Sequence, residues 1–201
     1  MALRPTSTTP LPDAPGAARA RAGSRSRWAA ALSVLALLSP LVGGVAARAS
    51  SIDEIDRLPP PRADSILVVK SEHRLYLLHG GAVVRSYTVR LGLNPVGPKR
   101  HEMDFRTPEG RYVIDGRNPN SRYFRALHVS YPNAEDRREA AAQRVRPGGD
   151  IMIHGLPNAP QKPLSYYQTQ DWTNGCIALS NEDLLELWAL VPTRVPVVIR
   201  P

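Results

Sequence analysis

The sequence predicts a mostly β domain of the α+β class, with two short helices, over residues 64–201. Short runs of β-branched and aromatic residues alternate with turn residues, a pattern typical of antiparallel strands. The chain of 201 residues contains 20 prolines, far above the usual ~5% share, which favours turns and edge segments over long helices. Capping residues precede a helical stretch in two places only. A domain built mainly from short strands follows from these three observations.

The domain opens with a predicted meander of three antiparallel strands. They are residues 66–69, 75–78 and 83–89, which are rich in Leu, Val and Tyr. A polar turn at 71–73 joins the first two strands, and Gly80-Gly81 is a hairpin signal between the second and third.

The middle of the domain is predicted as a long loop, two strands and a helix. The loop runs from Gly92 to Pro108, and the strands are residues 110–115 and 126–131. Residues 133–145 form a charged helix, capped by Asn133 and carrying acidic residues in its first turn.

The last third begins with a short buried strand at 151–153 that ends at His154, followed by a polar loop at 156–170. A second helix starts after a cap at Ser180 or Asn181, and residues 195–199 close the domain as a last strand. The apolar residues of that helix recur at the spacing of one helical face: Leu184, Leu187, Trp188 and Val191.

The first 49 residues are predicted to be a secretory leader. Arginines and polar residues precede an apolar run at 28–45, and Ala47-Arg48-Ala49 is a small-x-small cleavage site. The competing interpretation is an uncleaved N-terminal membrane anchor, since the run is just long enough to span a bilayer. Either interpretation places the rest of the chain in the periplasm or cell wall, after a proline-rich linker at 50–63.

The net charge of +8 does not indicate a nucleic-acid partner. The leader holds six arginines and one acid, whereas the rest of the chain has 20 basic and 17 acidic residues. Nucleic-acid binding requires clustered basic residues with stacking aromatics between them, and neither is visible. A scattered excess of +3 would instead help the domain lie on an anionic polymer such as a cell wall.

The chain has a single cysteine, Cys176, which is unusual in a chain predicted to be exported. Such a cysteine forms an intermolecular bridge, is an inert core residue, or is a thiol kept for chemistry. Gly175 allows a tight turn just before Cys176, where backbone N–H groups can converge on an oxyanion. A predicted helix begins a few residues later, and its N-terminus favours thiolate.

His154 is the candidate base for this thiol. It follows a buried strand and precedes Gly155, which places an imidazole at a strand end. A free thiol is mostly protonated at neutral pH, so an imidazole must remove the proton and a third group must hold the ring. His154 as a buried structural histidine, and Cys176 as a core residue, remain the alternatives from the residues alone. One cysteine and five dispersed histidines show no paired spacing of metal ligands.

The two segments resemble the L,D-transpeptidase (YkuD) catalytic domain. The resemblance rests on His154-Gly155 followed by residues 173–177, Thr-Asn-Gly-Cys-Ile, and on residues 106–110, Arg-Thr-Pro-Glu-Gly. It extends over most of 64–201, and the residues flanking the cysteine are most similar to the YafK-like branch. The resemblance implies a YkuD-like β-sandwich or open barrel.

The resemblance also implies a reaction and the residues that perform it. Cys176 attacks a diaminopimelate carbonyl in a peptidoglycan tetrapeptide stem and expels the terminal D-alanine. His154 is the base, and the carbonyl of Gly155 orients its ring. The backbone N–H groups of Asn174, Gly175 and Cys176 form the oxyanion hole. Carbapenems acylate such cysteines, and the reaction needs no metal or organic cofactor.

Substrate contacts are predicted from Thr173, Trp172, Arg106 and Tyr131. The sequence departs from the commonest family pattern by having Ala178 where an arginine is usual, and Asn174 where a histidine often precedes the glycine. The missing arginine leaves recognition of the substrate carboxylate to another residue. Candidates from the sequence are Arg106, Arg117 and Arg125.

The acyl acceptor implied by the resemblance is an amine of a second stem, which gives a 3→3 cross-link, or an amine on a wall-attached protein. Water is the alternative acceptor, which would make the protein a hydrolase of diaminopimelate-linked amides. A third hypothesis is a non-catalytic wall-binding module, against which the intact Cys and His argue. A papain-like protease is a fourth, although those enzymes place the Cys before the His in sequence. A membrane partner is expected only through an uncleaved leader.

Overall fold

The computed structural model describes residues 60–201. The predicted leader, and the predicted linker up to residue 59, lie outside the described residues. Within 60–201, no helix combines the length and the apolar character that a membrane span requires.

The described chain forms eight strands and three helices. The strands are β1 (Ser65–Val69), β2 (Arg74–His79), β3 (Ala82–Thr88), β4 (Gly110–Ser121), β5 (Phe124–Val129), β6 (Met152–His154), β7 (Ile177–Ala178) and β8 (Pro196–Arg200). The helices are α1 (Ala134–Ala142), α2 (Leu164–Thr169) and α3 (Asn181–Leu190). The prediction of a mostly β domain is confirmed.

The strands form one mixed sheet in the order β3-β2-β1-β8-β4-β5-β6-β7. β1 pairs in parallel with β8, and β6 in parallel with β7, whereas the other neighbours are antiparallel. The two ends of the sheet meet, because Arg90, just after β3, exchanges both backbone hydrogen bonds with Ala178 of β7 at 2.8 Å. The sheet therefore curls back on itself around one core.

The core is formed by the inward faces of these strands together with α3. In β1 and β2 the burial alternates along the strand, as a sheet with one covered face requires. Leu184, Leu187 and Leu190 of α3 are buried against the sheet. Burying each such aliphatic side chain stabilises the fold by about 1.5–3 kcal/mol.

The two predicted helices have the caps that the sequence indicates. The Asn133 side chain accepts hydrogen bonds from the backbone of Glu135 and Asp136, and Asp136 completes a capping box. At α3 the cap is Ser180, whose hydroxyl accepts from the N–H of Asp183 at 3.0 Å. A third short helix, α2, lies inside the segment predicted as a polar loop.

The strands predicted at 110–115 and 126–131 form a hairpin, β4 and β5, and extend further towards each other than the sequence predicts. β4 continues past Asp115 to Ser121, and β5 begins at Phe124, so that Arg122 and Tyr123 form a two-residue tip. The register shifts twice along this ribbon, which contains Pro119. Bulges of this kind commonly reorient a strand beside a functional site.

Candidate active site

His154 lies at the end of β6, in register with Ala126 of β5 and Ala178 of β7. It is 4% exposed, and its Nδ1 lies 2.7 Å from the carbonyl oxygen of Gly155. A carbonyl only accepts hydrogen bonds, so Nδ1 carries the proton and Nε2 has the free lone pair. The carbonyl of Gly155 therefore lies where it can orient the ring, which is the role predicted for it.

Aromatic rings enclose the imidazole of His154. The ring of Tyr123 is centred 4.6 Å away, and that of Trp172 is centred 5.5 Å away. Burial lowers the pKa of His154 to about 4, and the hydrogen bond to Gly155 offsets only part of this shift. The imidazole is therefore neutral at physiological pH and able to accept a proton.

Gly155 is confined by its neighbours. A Cβ at this position would lie 2.5 Å from the side-chain oxygen of Asn181 and 3.1 Å from Cβ of Phe124. The same Asn181 oxygen accepts a hydrogen bond from the N–H of Leu156 at 2.9 Å. Only glycine fits here without moving the N-terminus of α3.

The turn that carries Cys176 is organised by the side chain of Thr173. Its hydroxyl donates to the carbonyl of Cys176 at 2.7 Å and accepts from the N–H of Gly175 at 3.1 Å. Gly175 has a φ of +127°, and a Cβ there would lie 2.6 Å from the carbonyl oxygen of Arg106. Thr173 and Gly175 together fix the backbone before the thiol.

The Cys176 thiol is half-buried, and its Sγ donates to the carbonyl of Asp150 at 3.5 Å. Burial raises the pKa of the thiol, and the Asp150 carboxylate raises it further. The N–H of Met152 and the Lys99 ammonium act in the opposite direction. The free protein therefore holds a neutral thiol and a neutral imidazole.

Cys176 and His154 line one cavity of about 640 Å³. Trp172, Thr173 and Asn174, which were predicted to serve the site, also line it. The buried indole N–H of Trp172 has no hydrogen-bond partner among the described residues. An acceptor brought by a ligand would relieve the cost of that unpaired donor.

The structure places two predicted substrate contacts outside this cavity. The Arg106 side chain lines a separate recess with Asn94 and Asp104, and only its backbone reaches the catalytic turn. Tyr131 is 3% exposed and donates from its hydroxyl to the carbonyl of Pro147 at 2.8 Å. It supports the segment that leads to the cavity rather than lining it.

The other two arginines predicted as sources of positive charge, Arg117 and Arg125, contact α3 instead of the cavity. Arg117 donates to the carbonyls of Trp188, at 2.8 Å, and of Val191, where it satisfies the end of the helix. The guanidinium of Arg125 lies 5.2 Å from the centre of the Trp188 ring. Both side chains stabilise the packing of α3 on the hairpin.

Polar and charged residues of the cavity that were not predicted include Asn118, Asn120, Arg122 and Asp150. The first three belong to the unpredicted extension of the hairpin, and Asp150 lies in a glycine-containing loop. The pairing of β4 with β5 and the course of the loop before β6, rather than a local motif, bring these residues to the cavity that Cys176 lines. Within residues 60–201, no group of three or more His, Cys, Asp and Glu side chains converges as a metal site requires.

Comparison with known proteins gives a consistent result. A family model described as the YkuD L,D-transpeptidase catalytic domain matches residues 63–199. YafK of Escherichia coli K12, provisionally named an L,D-transpeptidase, is 30% identical over 109 residues, which are 53% of this chain and 36% of YafK.

Among solved structures, the helical cell shape determining protein Pgp2 of Campylobacter jejuni is 27% identical, with a TM-score of 0.50. That match covers 74% of this chain and 53% of Pgp2. The chain thus spans only part of the length of either relative.

Proposed function

This chain belongs to the YkuD family of L,D-transpeptidase catalytic domains, and we propose that it is an exported, cysteine-dependent transpeptidase of the cell wall. The family relationship implies peptidoglycan-modifying activity on stem peptides. The proposed substrate is a tetrapeptide stem with diaminopimelate, and the proposed product is a 3→3 cross-link or an amide with another acceptor amine. The proposed compartment is the periplasm or cell wall.

One observation carries the proposal: Cys176 and His154 line the same cavity, and the imidazole has its free Nε2 while Nδ1 donates to Gly155. A neutral base and a neutral thiol in one cavity suit general-base catalysis, in which the proton moves as the sulfur attacks. The pKa directions of both groups agree with this form of the dyad.

The first half-reaction would form a thioester. His154 takes the thiol proton while Cys176 Sγ attacks the diaminopimelate carbonyl, giving a tetrahedral oxyanion. Collapse of this intermediate breaks the amide bond, and the imidazolium gives its proton to the departing amine of D-alanine. Charge balances over the dyad and the bound substrate together, since the positive imidazolium of His154 offsets the negative oxyanion on the substrate.

The oxyanion would be bound by backbone N–H groups of the catalytic turn. The N–H of Gly175 already donates to Thr173, which leaves those of Asn174 and Cys176 for this role. Gly175 then contributes through its backbone conformation, which it adopts at a φ that other residues resist. One oxyanion donor is commonly worth about 10²–10³ in kcat.

The second half-reaction would consume the thioester. A neutral acceptor amine attacks the acyl carbon and His154 takes a proton from it. When the C–S bond breaks, the imidazolium gives this proton to the departing sulfur, which restores the neutral thiol and the neutral imidazole. Water in place of the amine would make the protein a hydrolase. The exposed Arg122 and Asp150 among the residues that line the cavity leave it open to water as well as to an amine.

The test is incubation of the full chain with tetrapeptide muropeptides, with and without an amine acceptor, followed by mass analysis. Cross-linked dimers or amine adducts would support transfer, and shortened monomers alone would support hydrolysis. Cys176→Ala is the matched control, and full activity in this variant would refute the proposed nucleophile. Absence of any product from the unmodified chain would refute both forms of the proposal.

A further inference from the structure

The catalytic cavity contains one basic and one acidic side chain. Of the residues that line it, Arg122 and Asp150 are the two that carry full charges when His154 is neutral. Both are exposed, and the ion pairs of the described residues all involve other side chains. The cavity therefore presents two opposite, uncompensated charges beside its nucleophile.

Arg122 is held at the cavity by the backbone of the hairpin tip. Asn158 donates from its N–H to the carbonyl of Arg122 at 2.9 Å and from its side chain to the carbonyl of Ser121 at 3.0 Å. Its side-chain oxygen accepts from the N–H of Phe124 at 2.9 Å. Asn158 thus fixes both strands of the tip. The Arg122 guanidinium itself forms no hydrogen bond or ion pair with the side chains or backbone of the described residues.

Asp150 is positioned by the catalytic turn and its neighbours. Its backbone has a φ of +55°, and its carbonyl accepts from the Cys176 thiol at 3.5 Å. An anionic side chain beside a nucleophilic sulfur opposes formation of thiolate. Asp150 therefore gives the attack no direct advantage, whereas a bound cation would cancel its charge.

Building on the function proposed above, we propose that Arg122 and Asp150 bind the free amino-acid end of the diaminopimelate side chain. Arg122 binds its carboxylate, and Asp150 binds its ammonium group. This end of diaminopimelate is a zwitterion at neutral pH, joined by a short aliphatic chain to the carbon that bears the scissile carbonyl. A stem with lysine at the same position would offer the ammonium but no carboxylate.

The surroundings fit a zwitterion better than a single charge. A guanidinium binds a carboxylate through two parallel hydrogen bonds, which fixes orientation as well as charge. The amide side chains of Asn118 and Asn120 line the same cavity and can both donate and accept. Arg122 thereby supplies the positive charge that is missing at position 178, where this chain has alanine. Arg117 and Arg125 do not supply it, because their guanidinium groups contact Trp188.

The test measures binding of three synthetic tetrapeptide stems to the full chain carrying Cys176→Ala, which prevents turnover. The stems have a free diaminopimelate end, a carboxamide in place of its carboxylate, or an acetylated amine. We expect the free stem to bind about 10–100-fold more tightly than either analogue, as for hydrogen bonds to charged groups.

Each variant should remove one preference only. Arg122→Gln should abolish discrimination against the carboxamide, and Asp150→Asn should abolish discrimination against the acetylated stem. Arg138→Gln and Glu182→Gln remove exposed charges on α1 and α3 and should keep both preferences. Unchanged preferences in Arg122→Gln and Asp150→Asn, or loss of both preferences in each, would overturn the inference.

A parallel turnover assay with Cys176 intact separates this inference from the proposed function. Selective binding without turnover would refute the enzymatic proposal while supporting recognition of the zwitterion. Turnover without these preferences would refute the recognition alone.

Discussion

The ring of Tyr123 lies over the imidazole of His154, with centroids 4.6 Å apart and planes inclined by 39°. Tyr123 belongs to the hairpin tip, and its carbonyl accepts from the N–H of Gly155 at 3.1 Å. The hairpin therefore touches the His-Gly pair through both a side chain and the backbone. It covers the candidate base on the side that would otherwise face water.

This cover should be visible in the pH dependence of the reaction. Because the pKa of His154 is lowered to about 4, the acid limb of kcat/KM should lie near pH 4 rather than near the usual 6.5. Tyr123→Ala should admit water and move the limb upward, whereas Tyr123→Phe keeps the ring and should not. A pH–rate profile of the three proteins decides the matter, and equal limbs would contradict it.

The imidazole of His154 should also make the stability of the fold depend on pH. A histidine with a folded pKa below its unfolded value binds fewer protons when folded, so stability is complete above about pH 6.5 and is lost as the pH falls towards 4. The loss is about 3 kcal/mol for a shift of this size. Denaturant unfolding at pH 7 and pH 4 should show a smaller difference in His154→Asn than in the unmodified chain. An identical difference would disprove the assignment.

Thr173 should matter for both stability and thiol reactivity. Thr173→Val keeps the shape but leaves the Gly175 N–H and the Cys176 carbonyl without their partner. We expect the free energy of unfolding to fall by about 2–4 kcal/mol, since each unpaired buried group costs about 1–3 kcal/mol. Acylation of Cys176 by a carbapenem, followed by intact mass, should slow by roughly tenfold or more if the turn relaxes.

Thr173→Ser is the matched control for that experiment. It keeps the hydroxyl, so acylation and unfolding should remain close to those of the unmodified chain. If valine and serine behaved alike, the hydroxyl would not be what organises the turn.

Gly175→Ala tests the conformation of the catalytic turn. The new Cβ would lie 2.6 Å from the Arg106 carbonyl, at a φ of +127° that disfavours alanine. Strain and overlap should together destabilise the fold by about 3 kcal/mol, measured by denaturant unfolding. Gly149→Ala, where a Cβ meets nothing within 4 Å, should change stability by about 0.5 kcal/mol or less. Comparable losses in the two variants would contradict the clash.

The elements predicted from the sequence are those whose cause is local. The caps at Asn133 and Ser180 and the apolar face of α3 are short-range patterns, and the structure confirms each of them. α2 was missed because Pro163 precedes a polar segment without an apolar period. The end of β4 was missed because its residues, among them Gly116, Pro119 and Asn120, resemble a loop and form a strand only through pairing with β5.

The residues of the candidate site also separate into those that a local pattern reveals and those that only the fold brings together. His154 and Cys176 stand in recognisable segments, so their types and neighbours suggested chemistry before any coordinates. Arg122 and Asp150 come to the cavity through the hairpin register and a left-handed backbone, and neither is visible as a short pattern. Non-local pairing is the information that a single sequence does not display.

The raised pKa of the Cys176 thiol has a consequence for the lifetime of the protein. Peroxides oxidise thiolate rather than thiol, so a sulfur held protonated is a slow target between turnovers. The chain has no second cysteine that could trap a sulfenic acid as a recoverable intrachain disulfide. A sulfenic acid at Cys176 would therefore depend on an external thiol for its recovery, and oxidation beyond that stage would inactivate the molecule permanently. Keeping the nucleophile protonated until a substrate arrives exchanges some intrinsic reactivity for oxidative durability.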